Sequence, residues 1–172
     1  VNVTEQGTFA LNGNTLYATL KSKAGLVAVD ITNGTKKWTY PTTGGDAYFP
    51  IVDKKGVVYF TEKGSQTVYA VDADGSKVWV KKVNNNLNYS GAVLSTDGVL
   101  YIGTQSNNKI FGLNTADGST VYEESVGQQV MASVSIGPDK RLYCGTIGAS
   151  NIGSIKAFDI NKTLETDSWS IR

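Results

Sequence analysis

The sequence predicts an all-β fold made of β-propeller blades, with four four-stranded antiparallel repeats of about 42 residues. Four tyrosines recur at a constant step of 42 residues, at Tyr17, Tyr59, Tyr101 and Tyr143. Apolar side chains alternate with a period of two around each tyrosine, which is typical of strands, and no segment has helical periodicity. Glycine-bearing turns follow at regular intervals, and 19 of the 172 residues are glycine.

Each repeat is predicted to contain four strands in a fixed order. The first strand is rich in small residues that suit a crowded propeller axis (7–11, 48–52, 90–94 and 132–136). The second carries the repeated tyrosine (15–20, 56–61, 99–104 and 141–146), and the third follows a polar turn (26–30, 67–72, 109–114 and 154–159). In the first three repeats a glycine turn, a strong hairpin signal, then leads to the fourth strand. That strand carries a closing aromatic residue: Trp38, Trp79, Tyr122 or Trp169.

We expect residues 1–172 to form a single domain of four blades, at about 1–40, 41–82, 83–124 and 125–172. No linker-like segment separates the repeats. The chain begins at Val1 without an initiator methionine or a signal-peptide pattern, and it ends just after an aromatic closing motif. We therefore expect it to be an excerpt of a longer protein.

A motif recurs around the turn after each third strand. It reads Ala28-x-Asp30-x-x-Asn33-Gly34-x-x-x-Trp38 in the first repeat and returns as Ala70, Asp72, Gly75 and Trp79 in the second. The third repeat has Gly112, Asn114, Gly118 and Tyr122, and the fourth keeps Ala157, Asp159 and Trp169 without the glycine. The motif resembles the tryptophan-docking motif of quinoprotein-type (PQQ-like repeat) β-propellers over essentially the whole chain. The resemblance implies that Trp38, Trp79, Tyr122 and Trp169 dock neighbouring blades, in a propeller of the bacterial cell-surface or periplasmic scaffold type.

The resemblance does not extend to the cofactor chemistry of quinoprotein dehydrogenases. Those enzymes hold a quinone and Ca²⁺ with a stacking tryptophan, acidic and amide ligands, and often adjacent cysteines. This chain has a single cysteine, Cys144, and its three tryptophans all occupy docking positions. We therefore expect no cofactor, and a quinone-dependent dehydrogenase is disfavoured. Cys144 lies in an apolar strand pattern and is predicted to be a small buried hydrophobic residue.

Composition disfavours several other classes. Sixteen basic and fifteen acidic residues give a net charge of +1, and the lysines are scattered over the repeats. A nucleic-acid-binding protein needs a concentrated basic face, so nucleic acid is not an expected partner. No apolar run is long enough to span a membrane. The absence of histidine excludes Ser-His-Asp and Cys-His catalysis and imidazole metal sites.

Paired carboxylates could in principle serve glycoside hydrolysis. Asp72 and Asp74 occupy a turn position, however, and Glu123 and Glu124 follow an outer-strand tyrosine, so structural roles are favoured. No Ca²⁺-binding loop is recognisable. The favoured function is a non-catalytic binding or scaffold module of an extracytoplasmic bacterial protein, at the cell surface or in the periplasm. The alternative is a propeller-based hydrolase or lyase whose active residues lie partly outside this chain.

Propeller topology places two sets of loops on one face, and here these loops are rich in amides, hydroxyls and aromatic rings but poor in charge. Such groups suit a neutral polar ligand, either a glycan or a peptide strand. The candidate ligand-binding residues are Asp46, Tyr48, Asn86, Asn88, Tyr89 and Gln129.

Four blades are expected to form half of an eight-bladed ring, because propellers of the resembled family usually close with about eight. Two uncovered apolar flanks would each cost on the order of 10 kcal/mol, which rivals a typical domain stability of roughly 5–15 kcal/mol. The expected partner is therefore a second copy of this chain, closing an eight-bladed propeller, or missing blades of the parent chain. A compact four-bladed ring is the alternative.

Overall fold

A computed structural model describes residues 8–21, 24–83, 87, 91–148 and 152–165. Within these ranges sixteen strands form four antiparallel four-stranded sheets, and no residue is helical. The predicted all-β class and its four repeats are thereby confirmed. The chain divides into two compact units, with described residues 8–83 and 87–165. The described part of the chain contains no helix with the length and hydropathy needed to cross a membrane.

The first unit holds two sheets with the same strand order. The first sheet consists of β1 (Phe9–Asn12), β2 (Thr15–Thr19), β3 (Leu26–Asp30) and β4 (Lys36–Tyr40), paired in that sequence. The second consists of β5 (Ala47–Val52), β6 (Val58–Glu62), β7 (Thr67–Val71) and β8 (Lys77–Lys82). Strands adjacent in sequence are therefore neighbours in the sheet, as short hairpin turns require.

The second unit holds the third and fourth sheets. The third consists of β9 (Val93–Leu94), β10 (Val99–Gly103), β11 (Lys109–Asn114) and β12 (Thr120–Ser125). The fourth consists of β13 (Gln129–Val130), β14 (Ser135–Ile136), β15 (Arg141–Ile147) and β16 (Gly153–Asp159). Because β13 and β14 pair with opposite ends of β15, the first strand of this repeat is split in two.

After β16, described residues 160–165 run beside β9 of the third sheet. Leu164 forms an isolated antiparallel bridge with Ser95, beside β9. The Thr96 N–H donates to the Thr163 carbonyl, and the Glu165 N–H donates to the Leu94 carbonyl, both at 2.9 Å. No described strand lies outside β16, and Trp169 lies outside the described residues.

The tyrosine step marks the second strand of every sheet. Tyr17, Tyr59 and Tyr101 are at most 2% exposed. Each of the four tyrosines stands opposite a small residue of the third strand, namely Ala28, Ala70, Gly112 or Ala157. The small residue leaves room for the closing aromatic ring, because a Cβ on Gly112 would lie 2.7 Å from the Tyr122 Cβ. The ring centroids of the three described tyrosine–aromatic pairs are 5.5–5.8 Å apart.

Trp38 links the two sheets of the first unit. Its indole Nε1–H donates to the backbone carbonyl of Ala73, in the turn after β7, at 2.8 Å. Gly75 in the same turn has a φ of +86°, and a Cβ there would lie 2.9 Å from the indole ring. The motif glycine therefore supplies both a left-handed turn and a flat contact for the ring. Around it, Trp38 and Tyr40 pack against a core cluster drawn from both sheets: Ala10, Tyr17, Leu26, Ala28, Ala47, Val52, Val58, Phe60, Tyr69 and Val71.

The closing aromatics of the second and third sheets, Trp79 and Tyr122, pack in a comparable way. Trp79 is 7% exposed and lies against Tyr59. Tyr122 packs, together with Phe158 and Ile160, against a core cluster shared by the third and fourth sheets. Burial, followed by the charge of Asp97 and by Tyr122, raises the pKa of Tyr101 to about 12, so its phenol stays neutral.

In the first three repeats the polar residue before the motif turn caps the backbone that follows. Asp30 Oδ1 accepts the Thr32 N–H, and Asn114 Oδ1 accepts the Ala116 N–H, both at 2.9 Å. Asp72 Oδ1 accepts two backbone N–H groups, at 3.0 and 2.8 Å. The hydrogen bonds of Asp72 agree with the structural role that its turn position predicts.

Candidate functional site

Loops of the third and fourth sheets line a polar cleft in the second unit. Its volume is about 500 Å³. The contributing connections are β10–β11, β12–β13 and the start of β15–β16. The lining residues are Ser106, Asn108, Gly127, Gln128, Gln129, Ile147 and Gly148.

Backbone hydrogen bonds fix the β10–β11 and β12–β13 loops to each other. Thr104 closes the first loop, because its hydroxyl donates to the Lys109 carbonyl at 3.0 Å and accepts the Lys109 N–H at 3.1 Å. The Asn108 carbonyl accepts the Val126 N–H at 2.7 Å, and the Thr104 carbonyl accepts the Val130 N–H at 3.2 Å. Asn108 adopts a φ of +54°, a left-handed conformation that asparagine tolerates better than most residues. The cleft therefore has a pre-arranged backbone.

Two adjacent glutamines form one wall. Gln128 Oε1 accepts hydrogen bonds from the Thr146 hydroxyl at 2.7 Å and the Ser154 hydroxyl at 2.8 Å. Its Nε2 lies so close to Gly148 that a Cβ there would come within 2.4 Å. Gln129 is exposed, and its Oε1 accepts a 3.3 Å hydrogen bond from Gln105 Nε2. Gln128 is thus held by the sheet, whereas Gln129 is presented to solvent.

The described lining of the cleft carries no charged side chain. Its groups are amides, a hydroxyl, glycine backbone and one isoleucine. Such groups donate and accept hydrogen bonds with neutral polar molecules. Among the residues that the structure describes, no group of three or more His, Cys, Asp or Glu side chains could hold a metal ion.

Asp46 and Tyr48, two of the predicted ligand-binding residues, lie in the first unit. The Asp46 carbonyl accepts the Lys63 N–H at 3.0 Å, and the Tyr48 hydroxyl lies 3.4 Å from Asp46 Oδ2. Tyr48 is only 8% exposed, because a bulge with Phe49 at a φ of +52° follows it and ends the simple alternation of the strand. Gln129 lies in the second unit, and Asn86, Asn88 and Tyr89 lie outside the described residues.

Glu62 is a carboxylate with many hydrogen bonds, at a position that no sequence motif marks. It is fully buried at the end of β6. Its Oε1 accepts the N–H groups of Gly44 and Gly45 at 2.5 and 2.6 Å. Its Oε2 accepts three hydroxyl hydrogen bonds, from Ser65 at 2.6 Å, Tyr69 at 2.5 Å and Thr43 at 3.2 Å. Every lone pair is committed, so Glu62 holds the loop before Asp46 in place.

The charge state of Glu62 follows from the balance of burial and hydrogen bonding. Burial raises the pKa of this carboxyl, but the hydrogen bonds from Ser65, Tyr69 and the glycine N–H groups outweigh it, so the pKa lies below the ordinary 4.5. Glu62 is therefore ionised near neutral pH and acts as an acceptor. The available sequence signal is an acidic residue at the end of an otherwise uncharged strand, Val58–Glu62.

Cys144 is 2% exposed, and burial raises the pKa of its thiol, partly offset by Lys156. The thiol is thus kept protonated inside the sheet, in agreement with its interpretation as a small buried hydrophobic residue.

Comparisons with known proteins agree with this architecture. A family model described as outer membrane protein assembly factor BamB matches residues 2–142. Among curated protein sequences, none matches this chain significantly. BamB from Moraxella catarrhalis is similar in structure, with a TM-score of 0.68 and 17% identity over 93% of this chain and 49% of its own.

Two enzymes share the same fold. The hydrazine synthase of Kuenenia stuttgartiensis has a TM-score of 0.70 and 18% identity, over 88% of this chain and 46% of its own. The quinohemoprotein alcohol dehydrogenase of Comamonas testosteroni has a TM-score of 0.70 and 14% identity, over 99% of this chain and 35% of its own.

At such identities the structural likeness shows the fold alone. The chain spans about half the length of the Moraxella protein. It spans less than half the length of each of the two enzymes. The family match covers most of the chain and agrees with the docking motif and the four sheets. The chain therefore belongs to the PQQ-like repeat β-propeller family whose model is described as outer membrane protein assembly factor BamB.

Proposed function

We propose that this chain is a non-catalytic binding and scaffold module, and that the polar cleft of the second unit binds a neutral polar ligand. The observation that supports this most strongly is the cleft lining, in which every described side chain except Ile147 is a neutral hydrogen-bonding group or a glycine. Family membership supports the scaffold role. We also propose an extracytoplasmic location in a bacterium, because the family description names an outer membrane assembly factor.

A glycan is the favoured ligand. Sugar hydroxyls both donate and accept, and so do the side-chain amides of Asn108, Gln128 and Gln129. A phosphate or carboxylate ligand would call for a basic side chain, and the described lining has none. Asp46, Tyr48, Asn86, Asn88 and Tyr89 stay proposed as further ligand contacts.

The binding proposal is tested by isothermal titration of a panel of neutral oligosaccharides: maltohexaose, cellohexaose and chitohexaose. We expect at least one to bind, and we expect Gln129→Ala to weaken that binding about tenfold, by roughly 1.4 kcal/mol. Gln129 is exposed, so its loss leaves the sheet intact. Gln66→Ala is the control, because Gln66 lies in the first unit, outside the cleft, and ends the hairpin loop of the second sheet that corresponds to the β10–β11 loop.

Three outcomes count against this proposal. Equal losses in the Gln129 and Gln66 variants would place binding elsewhere. Binding of short neutral peptides but of no sugar would show that the ligand is a peptide rather than a glycan. Turnover of any oligosaccharide, abolished by Asp46→Asn, would make the chain an enzyme.

We propose that two copies of the chain pair into an eight-bladed ring. The lengths of the structural relatives support this, since this chain matches only about half of the Moraxella protein. Light scattering at micromolar concentration is expected to give twice the 18.4 kDa chain mass. A monodisperse monomer at that concentration would contradict the pairing and leave further blades of the parent chain as the partner.

A further inference from the structure

The outer edge of β16 has no paired strand among the described residues. In the first three sheets the third strand is paired on both sides, because β3, β7 and β11 each lie between two neighbours. Within the described residues β16 pairs with β15 alone. The fourth sheet therefore presents an edge that its three sister sheets cover.

Burial at one register position shows the consequence. Leu26, Val68 and Ile110 occupy the same place in the third strands of sheets one to three, and all are 0% exposed. Ile155 occupies that place in β16 and is 82% exposed. A position that is fully buried three times in one chain is thus almost fully open in the fourth repeat. Ile155 also adjoins a mostly apolar hollow, and a contiguous exposed apolar surface of this kind marks an interaction site.

The backbone of β16 has the geometry of an acceptor strand. The Gly148 N–H donates to the Ile152 carbonyl at 3.0 Å, which makes these two residues a hydrogen-bonded pair. Antiparallel pairs alternate, so Ile155 and Ala157 turn their N–H and C=O groups to the open edge. In the first sheet the residues in this register are Leu26 and Ala28, which pair with Tyr40 and Trp38.

The side chains of β16 indicate what a strand paired with its outer edge would carry. Ala28, Ala70 and Gly112 each face an aromatic residue of the outer strand, namely Trp38, Trp79 and Tyr122. Ala157 is the fourth member of this series, stands opposite Tyr143 and is exposed. Near the other end of β16 lies a hollow of about 530 Å³, lined in part by Met131, Ala132, Ile147, Gly153 and Ile155. An aromatic residue fits beside Ala157, and an apolar residue fits against Ile155.

We propose that β16 binds an extended segment of a partner polypeptide, which pairs antiparallel with its outer edge and places an aromatic side chain opposite Ala157. Main-chain hydrogen bonds supply affinity, and the place beside Tyr143 supplies specificity. A neighbouring propeller blade does not fill the same role. The first two sheets contact each other through side-chain packing and the Trp38 indole, not by pairing of strand edges.

The probe is a labelled synthetic peptide with the sequence of this chain's own outer strand at residues 76–83, Ser-Lys-Val-Trp-Val-Lys-Lys-Val. Fluorescence anisotropy with the full chain is expected to show saturable binding. Replacing the tryptophan of the peptide by alanine is expected to weaken binding about tenfold.

Two variants of the chain test the site. Ala157→Pro removes an N–H that points to the open edge, a place where a strand tolerates proline, and is expected to weaken peptide binding about tenfold. Ile155→Lys is expected to do the same, whereas Val80→Lys, at a 45% exposed valine of β8, is the matched control and is expected to change nothing. Gln129→Ala is expected to leave peptide binding unchanged, which separates this surface from the oligosaccharide cleft.

Three results would overturn the proposal. They are no binding of the peptide by the full chain, binding that is insensitive to both Ala157→Pro and Ile155→Lys, and binding that appears only after residues 166–172 are removed. The last would assign the edge to the chain's own terminal segment, which contains Trp169.

Discussion

Replacing Glu62 by alanine is expected to lower the free energy of unfolding of the first unit by about 3–5 kcal/mol. The substitution leaves two backbone N–H groups, of Gly44 and Gly45, and the hydroxyls of Ser65 and Tyr69 without their acceptor. Each unsatisfied buried group costs about 1–3 kcal/mol, and partial rehydration of the loop recovers some of the loss. Chemical denaturation monitored by tryptophan fluorescence measures the change, since Trp38 and Trp79 both lie in this unit.

A surface glutamate provides the control. Glu123→Ala removes an ion pair with Lys109 in which both side chains are substantially exposed, so we expect a change within about 0.5 kcal/mol. Equal effects of the two substitutions would show that Glu62 does not hold the loop.

The dependence on pH identifies the charge as the cause. The pKa of folded Glu62 is depressed, so its ionised form stabilises the fold above the ordinary pKa of 4.5, and this contribution is lost as the pH falls through the folded pKa. Glu62→Gln cannot titrate. Its free energy of unfolding should therefore fall less than that of the native chain when the pH is lowered from neutral to below 4.5. If both chains lose stability in parallel, the acid sensitivity originates elsewhere.

Replacing Trp38 by alanine is expected to cost about 3 kcal/mol and to uncouple the two sheets of the first unit. The change removes the ring from the cluster around Tyr17, Phe60 and Tyr69, together with the hydrogen bond to Ala73. The half-buried position of Trp38 keeps the cost near the low end of the range for large-to-small core substitutions.

Trp38→Phe separates the two contributions. Phenylalanine keeps most of the apolar contact but cannot donate to the Ala73 carbonyl, so we expect a cost of about 1 kcal/mol. The measurement is native-state hydrogen exchange of β4 and β5. Trp38→Ala should accelerate exchange in both strands, and acceleration confined to β4 would contradict the docking role.

The repeat could be predicted from sequence because its determinants are local. Tyr17 and its equivalents lie in apolar runs with a period of two, and Asp30 or Asp72 precedes a glycine turn within the same few residues. Strand alternation and turn chemistry need no information about distant partners. Propeller topology then places the hairpin loops together, which is why Gln129 could be suggested as a ligand contact.

The features that sequence analysis missed depend on distant partners. The glycines that bind Glu62 are 17 and 18 residues away, and nothing near Glu62 identifies them. The pairing of Leu164 with Ser95 joins residues almost 70 apart, so no local pattern predicts it. Tyr48 is predicted both to begin a strand and to contact ligand, but its ring is buried, and a bulge with a positive φ at Phe49 follows it.

The most direct test of the binding role is a crystal structure of the chain with the oligosaccharide that binds most tightly in the titration panel. We predict electron density for the sugar in the cleft between the β10–β11 and β12–β13 loops, hydrogen-bonded to the Gln129 amide and to glycine backbone at Gly127 or Gly148. Density at another surface, with this cleft filled by water alone, would contradict the account.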